Sequence, residues 1–198
     1  GNFLDIPTDC PQRDERLGWT GDGQVFFKTA TFNMDVSSFF VKWMADVRAD
    51  QLQNGGITGI VPNKWEENRN ETGACGWGDV ATIIPWQWYK TYGDPQMLED
   101  SYQSMIKWLQ YIQDRSTDNL WDQSWHHGDW LHYMPINVWD NPPAYTDKTL
   151  LAQAFYVYSL QNTIKAAEVL GKKQDAAKYT ELLQVVKDKF VFADDSRF

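Results

Sequence analysis

The sequence predicts an all-α protein built from helical hairpins. Apolar residues recur at helical spacing in successive segments, and short turns with helix-stop and helix-start residues join these segments in pairs. Strand signals are scarce, since only Gly56–Pro62 could form a short extended piece. The chain has 198 residues, which suffices for one domain with a sizeable core.

The first predicted hairpin joins Asp22–Asn33 to Asp35–Leu52. Asp35 is the expected N-cap of the second helix, because its side chain can accept a hydrogen bond from a free amide of the first turn. The apolar face of that helix is formed by Phe39, Phe40, Trp43, Met44 and Val47.

The second predicted hairpin joins Asp79–Tyr92 to Pro95–Asp114. Gly93 ends its first helix, while Asp94 and Pro95 begin the next one as cap and first position. The apolar face of that next helix is formed by Met97, Leu98, Met105, Trp108, Leu109 and Ile112.

The third predicted hairpin joins Asp147–Leu170 to Lys173–Val191, with Gly171 as the stop between them. The first helix of a pair is apolar on most sides, whereas Lys173–Val191 is two-faced, which is typical of inner helices surrounded by outer ones. Repeated hairpins with buried inner helices predict a closed double ring of about six hairpins, an (α/α)6 barrel. We therefore expect residues 1–198 to form the N-terminal half of one barrel domain, with no second domain.

Charge and composition exclude several function classes. The net charge of −9 argues against a nucleic-acid partner and an anionic membrane surface, both of which attract basic proteins. No stretch approaches 18 apolar residues, so no membrane span is predicted. The first residues lack the basic and apolar regions of a signal peptide, and we expect none. Cytoplasm, periplasm and secretion all remain open as compartments.

The cysteines and histidines do not predict a metal centre. Cys10 and Cys75 are too few for a structural zinc site, and either a disulfide between them or two free thiols fits the sequence. His126, His127 and His132 lie close together, but their spacing fits no standard zinc motif. The open alternatives for them are contact with a ligand hydroxyl and ordinary packing. We expect no metal and no cofactor.

The long loops between hairpins are expected to form the functional site. In an up-and-down array these loops fall at one end, so Asp9–Asp22, Cys75–Asp79 and Trp125–Trp130 should converge there. The chain holds 11 Trp, 9 Tyr and 10 Phe, and many of the tryptophans fall in these loops. Aromatic side chains repeated in polar loops favour a ligand surface on which sugars stack.

The run Asp9–Gln24, DCPQRDERLGWTGDGQ, is the strongest chemical signal. It places Asp9, Asp14, Glu15 and Asp22 around two arginines and an indole. Such a set suits carboxylates of different pKa that share a small polar ligand. Carbohydrate hydrolysis needs this arrangement, because one carboxyl protonates the leaving oxygen while others hold hydroxyls.

This run resembles the acid-bearing motif of bacterial α-L-rhamnosidases, glycoside hydrolase family 78. The stretches CGWGDVATIIPW from Cys75, Tyr92-Gly93-Asp94 and Gly128-Asp129-Trp130-Leu131 are also similar to that family. The resemblance covers most of the chain, from Asp9 to about Gly171. It implies an (α/α)6 barrel and inverting hydrolysis of terminal α-L-rhamnosyl residues from glycosides and plant polysaccharides.

By position, the resemblance implies that Glu15 is the general acid, with Asp14 as the second candidate. A desolvating Trp19 and neighbouring negative charge would raise the pKa of Glu15, whereas Arg13 and Arg16 would oppose this. The substrate-binding set implied by the matching motifs is Asp9, Arg13, Trp19, Asp22, Trp77, Asp79, Asp129 and Trp130. The general base of the family is a glutamate well downstream, beyond Phe198. The expected partner is therefore an α-L-rhamnoside, and we expect the isolated fragment to be inactive.

Three other functions remain compatible with the residues. A lectin-like sugar-binding module would keep the aromatics and carboxylates without catalysis. A toroid enzyme for another sugar would share the fold. A helical scaffold that binds protein would carry its unusual residues on concave helix faces rather than in loops at one end. Half a ring also leaves apolar helix faces exposed, so we expect the fragment to self-associate.

Overall fold

A computed structural model of the chain describes residues 3, 5–8, 16–64, 72–130 and 146–191. Within these residues the secondary structure is six α-helices joined as three hairpins, with isolated β-bridges and no extended sheet. The helices are α1 (Thr20–Asn33), α2 (Ser37–Asp50), α3 (Val80–Tyr92), α4 (Gln96–Gln113), α5 (Lys148–Val169) and α6 (Lys173–Val191). The predicted all-α class and hairpin pairing are confirmed. None of the described helices is long and apolar enough to cross a membrane.

Local capping signals explain the helix ends. Gly93 ends α3 in the left-handed conformation at φ 76°, where a residue without Cβ is least strained. The side chain of Asp147 accepts hydrogen bonds from the amides of Thr149 and Leu150 at the start of α5. Asp35 lies one residue before the N-cap of α2, and its carboxylate still accepts from the amide of Ser37 at 2.9 Å. Helix termini are therefore largely a local property of this chain.

The predicted division into inner and outer helices is present in the contacts. α3 packs against both α1 and α5, and α2 packs against α3 and α4. α3 is buried almost all round, whereas α6 buries Tyr179 and Val186 on one side. Ala177 of the same helix is exposed. The core joins residues of every helix, including Phe40, Trp43, Ile84, Trp108 and Tyr156.

One face of α1 is open to solvent although it is apolar. Val25 is 79% exposed and Phe32 is 81% exposed, and Phe26 and Met34 are also exposed. An inner helix of a complete ring would bury this face between two neighbours. Exposed apolar surface of this kind marks a face that binds a ligand or packs against another part of the protein.

The extended piece predicted at Gly56–Pro62 holds the start of α1 in place. Ile60 forms a β-bridge with Trp19, and the amide of Thr20 donates to the carbonyl of Gly59 at 2.9 Å. The amide of Val61 donates to the carbonyl of Gly18 at 2.9 Å. The second half of the run Asp9–Gln24 is thereby fixed against the loop between the first two hairpins.

Candidate active site

A cavity of about 870 Å³ lies where the three loop segments meet. Its wall combines α1, the turn before α3, the segment before α5 and the first turns of α5. The lining residues that carry polar or aromatic chemistry are Asp22, Trp77, Asp129 and Trp130, with Phe26 and Phe155 on the apolar side. The convergence expected from the hairpin topology is therefore present in the part of the chain that the structure describes.

Two described carboxylates line this cavity. Asp22 lies in the first turn of α1, where the helix dipole favours a negative charge. Asp129 lies in the segment before α5, and its Oδ2 accepts a hydrogen bond from the amide of Thr146 at 2.7 Å. Both were predicted as substrate-binding residues, and both reach the cavity wall. Carboxylates in such positions can accept hydrogen bonds from sugar hydroxyls.

Two indoles meet at a right angle on the cavity wall. The rings of Trp77 and Trp130 lie 6.4 Å apart with an interplanar angle of 89°. Trp77 packs over Gly21 of α1, where an added Cβ would lie 2.9 Å from the indole. Glycine is therefore needed at this point of α1 for the indole to approach the helix. The resulting corner places two indole rings on the cavity wall, as sugar sites commonly do.

His127 lies behind this corner and packs among indoles. Its ring centroid is 4.0 Å from that of Trp77, 4.5 Å from that of Trp125 and 5.0 Å from that of Trp130. Burial, reinforced by the positive charge of Lys148, lowers the pKa of His127 to about 4. The imidazole is therefore neutral near neutral pH and acts as an aromatic packing group.

His126 supports the neighbouring turn instead of the cavity. Its Nδ1 accepts a hydrogen bond from the amide of Cys75 at 3.0 Å, which places its proton on Nε2. Burial is the main cause that lowers the pKa of His126 to about 4. The ordinary packing interpretation is thus the one that fits both described histidines, and the described residues contain no group of three metal ligands. His132 lies outside the described residues.

Asp79 does not reach the cavity, contrary to its predicted role in substrate binding. Its side chain is fully buried, and its oxygens accept hydrogen bonds from Gly76, Trp108 and Ser159. Burial raises the pKa of Asp79 to about 6, although these hydrogen bonds lower it. The carboxylate therefore faces the interior because three donors converge there.

Trp19 is half-buried in the bridge to Ile60 and is absent from the described lining of the cavity. Cys75 lines the cavity as a buried free thiol, and burial raises its pKa well above the usual range. The predicted general acid Glu15, together with Asp9, Arg13, Asp14 and Cys10, lies outside the described residues. Their roles stay predictions.

The sequence patterns did not predict the role of Gln24, whose side chain links α1 to the turn before α3 in the cavity wall. This residue is 7% exposed in α1, and its side-chain amide donates to the carbonyl of Gly76 in the turn before α3. The sequence feature that could have indicated this role is a polar residue directly before the apolar run Val25–Phe27. A buried amide in such a place needs a partner, and the partner is a main-chain carbonyl of the cavity.

Comparison with known proteins places this geometry in a family. Residues 1–193 match the family described as the bacterial alpha-L-rhamnosidase 6 hairpin glycosidase domain. An alpha-L-rhamnosidase of Formosa agariphila is 46% identical over 190 residues, which are 96% of this chain and 20% of that protein. One of Streptomyces avermitilis is 40% identical over 190 residues, which are 96% of this chain and 17% of that protein.

Solved structures give the same result. The Streptomyces avermitilis alpha-L-rhamnosidase complexed with L-rhamnose superposes with a TM-score of 0.84 at 39% identity, over 98% of this chain and 17% of that chain. The Aspergillus terreus enzyme superposes with a TM-score of 0.86 at 35% identity, over 96% of this chain and 22% of that chain. This chain thus spans about a fifth of the length of these relatives. With three hairpins around an acid- and indole-lined cavity, it belongs to the six-hairpin glycosidase domain family of the bacterial α-L-rhamnosidases.

Proposed function

We propose that this chain supplies the acid-bearing half of the active site of an inverting α-L-rhamnosidase. The complete enzyme would hydrolyse terminal non-reducing α-L-rhamnose from glycosides or plant polysaccharides. The observation that carries this proposal is the cavity in which Asp22 and Asp129 lie beside the indole corner of Trp77 and Trp130. The run that contains Glu15 continues into α1, whose residues Gly21, Asp22 and Gly23 line this cavity.

The proposed chemistry divides the reaction between two carboxyl groups. Glu15 would protonate the glycosidic oxygen, and a base from the remaining hairpins would activate water on the opposite face of the sugar. Inverting enzymes separate these groups by about 6.5–9.5 Å so that the water fits between them. Asp22 and Asp129 would bind hydroxyls, and the indoles would cover the ring and the methyl group of the deoxy sugar. Residues 1–198 would then be the N-terminal half of a single catalytic barrel.

Release of p-nitrophenol from p-nitrophenyl α-L-rhamnoside tests the proposal. The assay compares this chain alone with a hybrid enzyme, in which the chain replaces the matching segment of the Formosa agariphila relative. We expect activity in the hybrid enzyme and none in the chain alone. A folded hybrid enzyme that binds L-rhamnose without hydrolysis would instead support the sugar-binding module. Hydrolysis of a different p-nitrophenyl glycoside would support a barrel enzyme for another sugar.

We also propose that the isolated chain self-associates through the open face of α1. Val25 and Phe32 are more than three-quarters exposed there, and exposed apolar side chains favour association between copies of a protein. We expect multi-angle light scattering to give a mass above 23.0 kDa, and Phe32→Glu to shift the population toward the monomer. The control is Gln174→Glu, an exposed polar position on α6. A monomeric unsubstituted chain at all concentrations would contradict this proposal.

A further inference from the structure

The buried carboxylate of Asp79 joins three parts of the fold. Its Oδ1 accepts from Nε1 of Trp108 in α4 at 3.1 Å and from the hydroxyl of Ser159 in α5 at 2.6 Å. Its Oδ2 accepts from the amide of Gly76 at 2.8 Å. Ser159 also contacts the hydroxyl of Thr82 in α3, at 2.8 Å between the oxygens. Hydrogen bonds therefore connect Asp79 to three helices, and the same carboxylate binds the backbone amide of Gly76 in the turn before α3.

The polar groups of Gly76 are held from two directions. Its N–H donates to Asp79, and its carbonyl accepts from the side-chain amide of Gln24 in α1. Gly76 also lines the cavity, and its φ of 78° is strained for residues with a side chain. The position of the Gly76 residue relative to α1 is thus fixed by Asp79 on one side and by Gln24 on the other.

Trp77 follows directly and forms a wall of the cavity. Its indole packs on Gly21 of α1 and meets Trp130 at a right angle. A shift of the Gly76 peptide would move the Trp77 backbone and therefore tilt this ring away from its stacking position. An aromatic wall binds a sugar ring well only when its face is held in one orientation.

We propose that Asp79 is a positioning residue, which fixes the Gly76 peptide and thereby the Trp77 wall, and so sets the affinity for sugar without touching it. This inference rests on the proposed function of the same cavity. A carboxylate suits the position because every polar partner is a donor, so an asparagine would turn its own N–H group toward one of them. A buried carboxylate is costly unless it is fully hydrogen-bonded, and burial raises the pKa of Asp79.

Kinetics of Asp79→Asn in the hybrid enzyme test this inference. We expect KM for p-nitrophenyl α-L-rhamnoside to rise about tenfold, while kcat changes less than about threefold. A purely structural role would lower the fraction of folded enzyme, which lowers the apparent kcat and leaves KM unchanged. The control is Asp94→Asn, which alters an exposed carboxylate that accepts from the amide of Gln96 before α4. It should leave both constants unchanged.

A second variant guards the test against a folding defect in Asp79→Asn. A spectroscopic measurement on Trp77 makes the test independent of enzyme activity. Gln24→Ala removes the hydrogen bond from the Gln24 side chain to the carbonyl of Gly76, and it should also raise KM. In the 198-residue chain, the indole N–H resonance of Trp77, assigned with Trp77→Phe, should shift in Asp79→Asn and in Gln24→Ala but not in Asp94→Asn.

Folded variants with an unchanged Trp77 resonance and an unchanged KM would overturn the inference. The proposed function fails differently. In that case the unsubstituted hybrid enzyme hydrolyses no rhamnoside, and the Trp77 resonance alone then decides whether Asp79 positions the wall.

Discussion

Glu15→Gln is expected to lower kcat of the hybrid enzyme by about 10²–10⁴-fold on rhamnosides with a poor leaving group. A glutamine cannot donate a proton to the glycosidic oxygen, so an alkoxide would have to leave unprotonated. The loss should be smaller on p-nitrophenyl α-L-rhamnoside, because p-nitrophenolate departs with little protonation. The measurement is kcat and kcat/KM for an alkyl and a p-nitrophenyl rhamnoside, with KM expected to change little.

Asp14→Asn is the matched control for this experiment, because it removes the neighbouring carboxyl group. It should retain most of the activity on both substrates. An equal loss on both substrates in Glu15→Gln would argue against a role as acid, since the leaving group would then not matter. A larger loss in Asp14→Asn, with the same dependence on the leaving group, would move the acid role to Asp14.

Acidification from pH 7 to pH 4 is expected to destabilise the fold by about 3 to 4 kcal/mol through three buried groups. The folded pKa of His126 and of His127 is lowered from 6.5 to about 4, so the unfolded chain takes up protons that the folded chain does not. Their stabilisation is present above pH 6.5 and is lost as the pH falls through 4, at about 3 kcal/mol for each histidine.

Asp79 has the opposite effect on the pH dependence of stability. Its folded pKa is raised from 3.8 to about 6, so its stabilisation is present below pH 3.8 and is lost as the pH rises through 6. It therefore offsets about 3 kcal/mol of the loss during acidification. Urea unfolding of the dilute chain, followed by tryptophan fluorescence between pH 4 and 7.5, measures the net effect.

Variants separate these contributions. Asp79→Asn should steepen the loss of stability toward low pH, because the opposing group is gone. His126→Asn keeps an acceptor for the amide of Cys75 and should make the loss shallower. If stability is independent of pH between 4 and 7 in all three proteins, the two histidines are not buried in the way the structure describes.

Local signals in the sequence account for most of the helical framework. Gly93 and Gly171 mark real helix ends, and Asp147 caps α5 as its position suggests. The apolar residues predicted for α4 are all buried. These features could be predicted from the sequence because capping and helical periodicity depend on residues within a few positions of one another. The convergence of the three loop segments followed from the same hairpin order.

The direction in which side chains point where a loop meets a helix could not be predicted from these local signals. Asp79 sits in the same short motif as Trp77, yet its carboxylate turns inward, because Trp108 and Ser159 supply donors from 29 and 80 residues further along the chain. Gln24 and His127 likewise gain their roles from distant partners, the carbonyl of Gly76 and the ring of Trp77.

The sequence by itself thus determined the hairpins, their order and the loops that carry the chemistry, since these depend on short-range periodicity and capping. Only the tertiary structure decided which of the motif residues face the cavity and which support it. The physical reason is that a polar side chain turns to wherever hydrogen-bond partners meet, and in this fold those partners come from separate helices.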